Sequence, residues 1–382
     1  MRAWSRLFVL LVLGVAGCAE PEARSPSARP PEAPPVDLAA AGRGRVLYAT
    51  YCALCHGAGG EGYIADNAPA LANPDFLDAA SDAYLRSAIE EGRTGTPMSS
   101  WARSRGGPLG DDPINDLIAL MRSWATSTPI DVSHVTVSGR PELGQGIYAT
   151  RCASCHGAQG EGVSAPQLRN PVFLRTASTG YIRYTIEHGR RGTPMIGFGD
   201  ALDSATLDDV VSYVRTLAPG ASSPEVPSGG PPPDIDHLVM NPEGPDPGFE
   251  ARDDRFVSGR AVRDAMLRNA RMVILDARAP TDWAQTHITG AAPFPFYDVE
   301  TLAAHLPNDG TWIIAYCACP HAASGHVVDE LRRRGFTHAA ILDEGIPWWV
   351  TQGYPVESGP IPTPAPAPSV PAMGPMRALG IP

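Results

Sequence analysis

Two similar stretches of this chain end in apolar residues at helical spacing. The first ends in Ile114, Leu117, Ile118, Met121 and Trp124, and the second in Leu207, Val210, Val211, Val214 and Leu217. Both sets follow the i, i+3, i+4, i+7 rule of an amphipathic helix. Each stretch is therefore expected to close with a helix that buries one face in a domain core.

A duplication accounts for the shared pattern. Residues 46–58 return as residues 146–158 at an offset of 100, and residues 89–98 return as residues 186–195 at an offset of 97. One loop of the second copy is therefore about three residues shorter, and the repeat is far longer than a solenoid unit. The sequence predicts a duplicated domain, with copies over residues 42–126 and 140–218.

A third region, residues 250–357, alternates β-branched runs with helical patterns. Strands are expected at Met272–Leu275, Trp312–Tyr316 and Ala339–Leu342, and helices at Arg260–Leu267 and His326–Arg334. This alternation favours an α/β domain with a parallel sheet. Pro- and Gly-rich sequence predicts a linker over residues 219–249 and a disordered tail over residues 358–382.

The N-terminus has the pattern of a targeting segment. Arg2 and Arg6 precede an apolar run, residues 7–16, that is too short to span a bilayer as a helix. The run ends in Val-Ala-Gly-Cys18, which resembles the lipobox of bacterial lipoproteins. That resemblance implies a signal peptide over residues 1–17, lipidation of Cys18 and a Pro-rich tether over residues 18–41. The alternative is an ordinary signal peptide with an incidental cysteine.

The net charge and the export signal limit the classes of partner that are expected for this protein. The 382 residues carry a formal net charge of −11, which argues against nucleic acid and favours protein partners with a basic docking face. The expected location is outside the cytoplasm, on a bacterial membrane facing the periplasm or the cell surface.

The strongest chemical signal is a Cys-x-x-Cys-His motif in each repeat. Cys52, Cys55 and His56 form the first motif, and Cys152, Cys155 and His156 form the second. On one helical turn the two thiols reach the two vinyl groups of a haem, and the adjacent histidine becomes the proximal iron ligand. A zinc site would need four ligands, and neither repeat has another cysteine. The sequence therefore predicts two covalently bound haem c groups.

Met98 and Met195 are the predicted sixth ligands of the two haem irons. They occupy the same repeat position inside Thr-Pro-Met, where the proline restricts the loop. The alternative role is core packing, which Met121 fits better because it lies on a helix face. Histidine–methionine ligation raises the haem potential and leaves no open iron position, so it indicates electron transfer.

Both copies resemble small class I cytochrome c domains. The resemblance implies a mostly helical fold around each haem, with Pro69 and Pro166 accepting a hydrogen bond from the proximal histidines. It also leaves Arg93, Arg190 and Arg191 as either partners of the haem propionates or solvated loop charges.

The third region resembles the rhodanese family. The residues that match the N-terminal signature are Asp276, Arg278, Trp283, His287, Gly290 and Ala291. Cys317 lies at the position of the persulfide-forming cysteine, before a helix whose N-terminus, capped by Ser324, is expected to favour the thiolate. The loop has no Arg or Lys, although a basic residue at this place often helps to bind thiosulfate in this family. Cys319 is a candidate for resolving a persulfide or for binding metal, or it has no role. In an oxidising compartment it could also pair with Cys317, although so short a loop is strained. His321 is a candidate for tuning Cys317.

Three functions remain open at this stage. The leading one is a membrane-anchored dihaem cytochrome that carries electrons from a quinol-oxidising complex to a terminal acceptor. The second is a sulfur-oxidising enzyme, in which Cys317 takes sulfane sulfur from thiosulfate or polysulfide and the haems accept the electrons. The third makes the rhodanese-like domain a non-catalytic docking module.

Overall fold

The computed structural model describes residues 36–65, 67–217, 228–319 and 321–362. The predicted signal peptide, the lipidation site Cys18 and the tail beyond residue 362 lie outside these ranges. Within them, no helix is both long enough and apolar enough to cross a bilayer.

Two helical domains occupy the first half of the chain. The helices of the first are α1 (Leu38–Tyr51), α2 (Ala53–His56), α3 (Pro74–Ala79), α4 (Asp82–Glu91) and α5 (Asp111–Ser123). Those of the second are α6 (Pro141–Arg151), α7 (Ala153–His156), α8 (Pro171–Thr176), α9 (Thr179–His188) and α10 (Ser204–Thr216). The closing helices α5 and α10 confirm the apolar pattern, and α1 begins four residues before the predicted boundary at residue 42.

In each helical domain the first and last helices cross closely. A Cβ atom on Gly44 would lie 2.1 Å from the Asp116 carbonyl oxygen, and one on Gly144 would lie 2.0 Å from that of Asp209. These two glycines occupy the same repeat position, so both crossings need a residue without a side chain.

The two helical domains meet through an approximate two-fold axis. Asn73 donates a 2.8 Å hydrogen bond to the Arg191 carbonyl, and its repeat counterpart Asn170 donates a 3.0 Å bond to the Thr94 carbonyl. Helix α3 packs on α9 while α4 packs on α8, and the rings of Tyr84 and its counterpart Tyr181 lie 4.6 Å apart. Such reciprocal contacts are those of an isologous dimer interface, here built within one chain.

The C-terminal domain has the expected α/β architecture. In chain order its elements are β1 (Phe256–Val257), α11 (Gly259–Leu267), β2 (Met272–Asp276), α12 (Pro280–Gln285), β3 (His287–Ile288), β4 (Ala292–Pro293), α13 (Val299–Leu302), β5 (Trp312–Tyr316), α14 (Ala322–Arg333), β6 (Ala339–Leu342), α15 (Gly345–Thr351) and β7 (Val356–Glu357). Strands β1-β6-β5-β2-β4 form a parallel sheet in that order, and β3 pairs antiparallel with β7. The predicted strands and parallel sheet are confirmed.

Part of the predicted linker packs on this domain. Leu238 is buried in the core of the α/β domain, and Met240 bridges to Met272 at the start of β2. The apolar residues between the Pro-rich stretches explain the difference, because they bury hydrophobic surface that a free linker would expose.

The α/β domain docks on the first helical domain. Tyr297 lies between Tyr51 and Trp101, with ring centroids 5.0 and 5.9 Å away. Helix α2 contacts helix α14, and Leu54 of α2 packs against the core cluster that contains Cys317. The contact therefore covers the outer face of the first Cys-x-x-Cys-His turn.

A second contact joins the same two domains through a carboxyl group. The Ser99 hydroxyl donates a hydrogen bond to Asp282 of α12, and Thr281 contacts the Ser100 carbonyl at 3.4 Å. Loss of solvent on burial raises the pKa of Asp282 to about 6, against the opposing effects of Arg278 and the Ser99 bond.

We expect stability to fall as the pH rises from about 4 to about 6, because the folded protein holds the Asp282 proton more tightly than the unfolded chain does. Asp282→Asn keeps a neutral acceptor for Ser99 and should remove this part of the pH dependence, on the order of 2 kcal/mol. Thermal melting of both proteins between pH 4 and pH 8 measures the difference. Parallel pH profiles would contradict the assignment.

Candidate functional site

Each Cys-x-x-Cys-His segment is one tight helical turn. The His56 amide donates to the Cys52 carbonyl at 3.0 Å, and the Cys55 amide donates to the same carbonyl at 3.1 Å. In the second copy the corresponding distances are 3.0 and 3.2 Å. Both thiols and the imidazole therefore leave a single turn, which is the arrangement that covalent haem attachment requires.

A buried tyrosine is hydrogen-bonded to the glycine that ends each turn. The Tyr48 hydroxyl donates a 2.8 Å hydrogen bond to the Gly57 carbonyl, and the Tyr148 hydroxyl donates one of equal length to the Gly157 carbonyl. The sequence alone indicated no role for these tyrosines. Both occupy the same position in the repeat, which is the signal that could have identified them.

The proximal histidines are oriented by prolyl carbonyls. Nδ1 of His56 lies 2.9 Å from the Pro69 oxygen, and Nδ1 of His156 lies 2.9 Å from the Pro166 oxygen. The hydrogen bonds expected from the resemblance are confirmed. A proton on Nδ1 leaves Nε2 as the lone-pair nitrogen, which is the form in which histidine binds a metal.

The donor set of each turn fits a haem c group. Burial lowers the pKa of both His56 and His156, so each imidazole is kept neutral. Burial also raises the pKa of Cys52 to about 12 and that of Cys152 to about 11, with a smaller contribution from Cys155 to the second. A neutral thioether at either position carries no such desolvation cost.

The two methionine loops share one backbone geometry. The Met98 amide lies 3.2 Å from the Thr96 hydroxyl, and the Arg93 amide donates to the Met98 carbonyl at 2.7 Å. Met195 has the same two contacts with Thr193 and Arg190, at 3.2 and 2.7 Å. Both methionines are half-buried.

The loop arginines bind across the domain interface. Arg191 pairs with Asp75 of the first domain through its side chain at 2.9 Å and its amide at 2.6 Å. The Arg190 guanidinium lies over the rings of Tyr181 and Phe76, at 5.6 and 5.7 Å. Both are therefore structural contacts in this arrangement, a role that the sequence did not suggest.

The two Cys-x-x-Cys-His turns differ in exposure. Leu54 and Cys55 are partly buried, and Leu54 packs on the α/β domain, whereas the corresponding Ser154 and Cys155 are exposed. Val163 and Ile196 of the second domain are 64% and 65% exposed, and Ile64 of the first domain is 59% exposed. The turn of the second domain is therefore the more open of the two, although both domains expose apolar side chains.

Cys317 follows strand β5 at the carboxyl end of the sheet. Its Sγ lies 2.9 Å from the Cys319 carbonyl oxygen, 3.2 Å from Cys319 Sγ and 3.3 Å from Ser324 Oγ. Gly345, at φ 66°, must lack a Cβ atom, because that atom would lie 2.6 Å from the Cys317 carbonyl. The Ile346 amide donates to this carbonyl at 3.1 Å.

One expectation about this loop is wrong. Ser324 does not cap helix α14, which starts after His321 in a left-handed conformation with no side-chain cap, and its hydroxyl faces Cys317 instead. The ring of His321, a candidate for tuning Cys317, lies 2.5 Å through its Nε2 from the Asp343 carbonyl oxygen.

The Cys317 thiolate is disfavoured rather than favoured. The hydrogen bond with Cys319 and burial raise the pKa of Cys317 well above its usual value, and the Ser324 hydrogen bond opposes this only in part. The Cys317 bond lowers the pKa of Cys319, but a hydrogen bond with Cys55 and burial outweigh it, so the net shift is upward. Cys319 thus joins the two sites.

The signature residues of the α/β domain form its framework. Asp276 and Arg278 make a buried pair at 2.9 and 2.6 Å, and Trp283 Nε1 donates to the Ala291 carbonyl at 2.7 Å. The His287 ring stacks on Trp283, and its Nδ1 lies 2.7 Å from the Trp283 carbonyl. These contacts hold the turn before β4 and take no direct part at Cys317.

Comparison with known families decides the nature of the domains. A model described as cytochrome c oxidase, cbb3-type, subunit III matches residues 39–121 and again residues 139–214, and a rhodanese-like domain model matches residues 261–352. The chain consists of two tandem cytochrome c domains and a C-terminal rhodanese-like domain. The fold class predicted from the sequence is thereby confirmed.

Related proteins share the cytochrome part. A cbb3-type cytochrome c oxidase subunit FixP of Azorhizobium caulinodans is 30% identical over 188 residues, and a subunit CcoP of an Azospirillum species is 31% identical over 193 residues. Each alignment covers 46% of this chain and 59% or 62% of the relative, so the chain spans about three fifths of their length. A solved rhodanese-like domain from an Anabaena species is 31% identical, with a TM-score of 0.21, and covers 22% of this chain and 80% of its own.

Tyr48→Phe removes the donor that holds the Gly57 carbonyl, and we expect it to destabilise the first cytochrome c domain by about 1 kcal/mol. Tyr148→Phe should do the same in the second domain. Thermal melting of the haem-loaded protein gives both values. Tyr63→Phe, at a 40% exposed position, is the control and should have no effect. An equal loss in the control would contradict the role of the buried hydroxyl.

Proposed function

We propose that this protein is a membrane-anchored dihaem cytochrome that carries electrons between partners outside the cytoplasm. One haem is held by Cys52, Cys55, His56 and Met98. The other is held by the second set, which consists of Cys152, Cys155, His156 and Met195. The observation that carries the proposal is that both turns and both methionine loops have the same hydrogen-bonding geometry.

The bound haem supplies one-electron chemistry at its iron. The protein fixes the ligands so that little rearrangement accompanies a change of charge. Pro69 and Pro166 fix the two imidazoles through Nδ1, and the threonine contacts at Thr96 and Thr193 fix the methionine loops. Pre-set ligands of this kind favour electron transfer over bond-making chemistry.

The two-fold interface supports a path between the two sites. Asn73 donates a hydrogen bond to the loop that carries Met195, and Asn170 donates one to the loop that carries Met98. Each domain therefore contacts the methionine loop of the other. The Tyr84 and Tyr181 rings contact each other, and their hydroxyls accept from Arg93 and Arg190 of the two loops, respectively. We propose that both haems belong to one conducting unit.

We further propose that the second domain exchanges electrons with protein partners. The rhodanese-like domain packs on the first turn, whereas Cys155 of the second turn is exposed. Exposed apolar side chains at Val163 and Ile196, on an acidic protein, suit a transient partner with a basic rim.

The relatives indicate the redox partners, and the N-terminal sequence indicates the location. The relatives are named as subunits of a terminal oxidase, so we propose a terminal oxidase as acceptor and a quinol-oxidising complex as donor. The lipobox-like sequence at Cys18 supports a lipid anchor on a bacterial membrane, with the domains facing the periplasm or the cell surface.

A redox titration of the haem-loaded protein tests the two sites. We expect two components, and Met98→His and Met195→His should each lower one midpoint potential, since methionine in place of a second histidine raises it. Met121→Leu replaces a buried methionine of α5 by a residue of similar volume and is the matched control.

Three results would contradict the proposal. The titration could show a single component, the same component could shift in both histidine variants, or the Met121 control could shift as far as they do. Haem content per chain, measured in the same samples, distinguishes loss of haem from a change of ligand.

A further inference from the structure

The rhodanese-like domain contains two thiols in direct contact. Cys317 Sγ and Cys319 Sγ lie 3.2 Å apart, and the single residue between them, Ala318, lies in a bend after β5. Electron carriage by the two haems does not need this pair. Two thiols at this spacing need a shift of little more than 1 Å to form a disulfide.

We propose that Cys317 and Cys319 form a dithiol–disulfide centre that captures hydrosulfide, with Cys319 as the second catalytic sulfur. This activity goes beyond electron carriage between protein partners. A disulfide across a single intervening residue is strained, and strained disulfides are readily opened by a nucleophile.

The size and charge of the site select the substrate. Cys317 is 1% exposed and Cys319 is 8% exposed, so little room remains beside either sulfur. The loop has no Lys or Arg, and the nearby Arg255 is paired with Asp329. A bulky dianion such as thiosulfate would lack a counter-charge here, whereas hydrosulfide is small and carries one charge.

The capture step balances without an added oxidant. Hydrosulfide attacks Cys317 Sγ, a new S–S bond forms there, and the bond between the two cysteines breaks. The electron pair of that bond stays on Cys319, which takes the proton of the incoming sulfur. Hydrosulfide is thereby oxidised to the sulfane level, and the disulfide is reduced to one persulfide and one thiol.

Two contacts direct the attack to Cys317. Cys319 is flanked by Cys317 and by Cys55 of the first cytochrome c domain. Cys317 instead faces Ser324, whose hydroxyl lies 3.3 Å from its sulfur and can donate to a persulfide. The sulfane sulfur is then free to pass to an acceptor thiol.

The location of Cys319 connects this centre to electron carriage. Return to the disulfide removes two electrons and two protons from the dithiol. The oxidant is of the one-electron class and must act twice. Cys319 lies against Cys55, a haem-attachment cysteine, and Leu54 packs against the core cluster that contains Cys319. The dithiol therefore lies against the electron-carrying part of the chain.

The test uses full-length, haem-loaded protein in detergent. The protein is oxidised with ferricyanide, desalted, mixed with sodium sulfide without oxygen, quenched with iodoacetamide and digested for mass spectrometry. We expect about one added sulfur per chain on Cys317 and a newly alkylated Cys319. Cys319→Ser should lower sulfide-dependent persulfide at least tenfold, and Ala318→Ser is the control from the same loop.

A second loading experiment, with polysulfide, distinguishes a loss of sulfide capture from misfolding of the variant. Cys319→Ser should still gain sulfane sulfur from polysulfide, because Cys317 is intact, whereas Cys317→Ser should gain none from either reagent. Normal sulfide loading of Cys319→Ser, or an added sulfur on Cys319 rather than Cys317, would overturn the proposal. Failure of the electron-carrier proposal would show in the redox titration of the unmodified protein, which does not depend on any Cys319 variant, so the two proposals fail separately.

Discussion

The first Cys-x-x-Cys-His turn must satisfy contacts on two sides at once. On the inner side the Pro69 carbonyl orients His56, and Tyr48 holds the end of the turn at Gly57. On the outer side Leu54 packs against the core of the rhodanese-like domain, and Cys55 contacts Cys319. The same few residues therefore fix the ligand of one domain and the position of another.

The second turn keeps the inner contacts and lacks the outer ones. Its tyrosine and prolyl contacts have the same lengths as in the first copy, but Ser154 replaces the leucine and Cys155 is exposed. One duplicated unit thus has two surfaces, one buried against a domain of the same chain and one open to solvent. Meanwhile the approximate two-fold axis keeps the two methionine loops in contact with the opposite domain.

Local patterns in the sequence were sufficient for the elements and for the tight turn that each Cys-x-x-Cys-His motif forms. The apolar spacing around Leu117 and Val210 predicted the closing helices, and the motif spacing predicted which side chains share a turn. Contacts between distant segments left no such pattern: Ser99 and Asp282 are 183 residues apart, and nothing periodic connects them. The Ser324 cap was wrong because His321 takes the left-handed conformation at the helix start, which a sequence of polar and small residues does not reveal.

The packing of Leu54 makes the first Cys-x-x-Cys-His turn the docking surface of the rhodanese-like domain. Small-angle X-ray scattering of Leu54→Arg beside the matched Ser154→Arg tests this docking, with iodoacetamide labelling of Cys319 as a second readout. We expect that only Leu54→Arg increases the radius of gyration and speeds the labelling of Cys319, because a guanidinium cannot pack against the apolar core that Leu54 contacts. Equal behaviour of the two variants would show that the turn does not hold the domain.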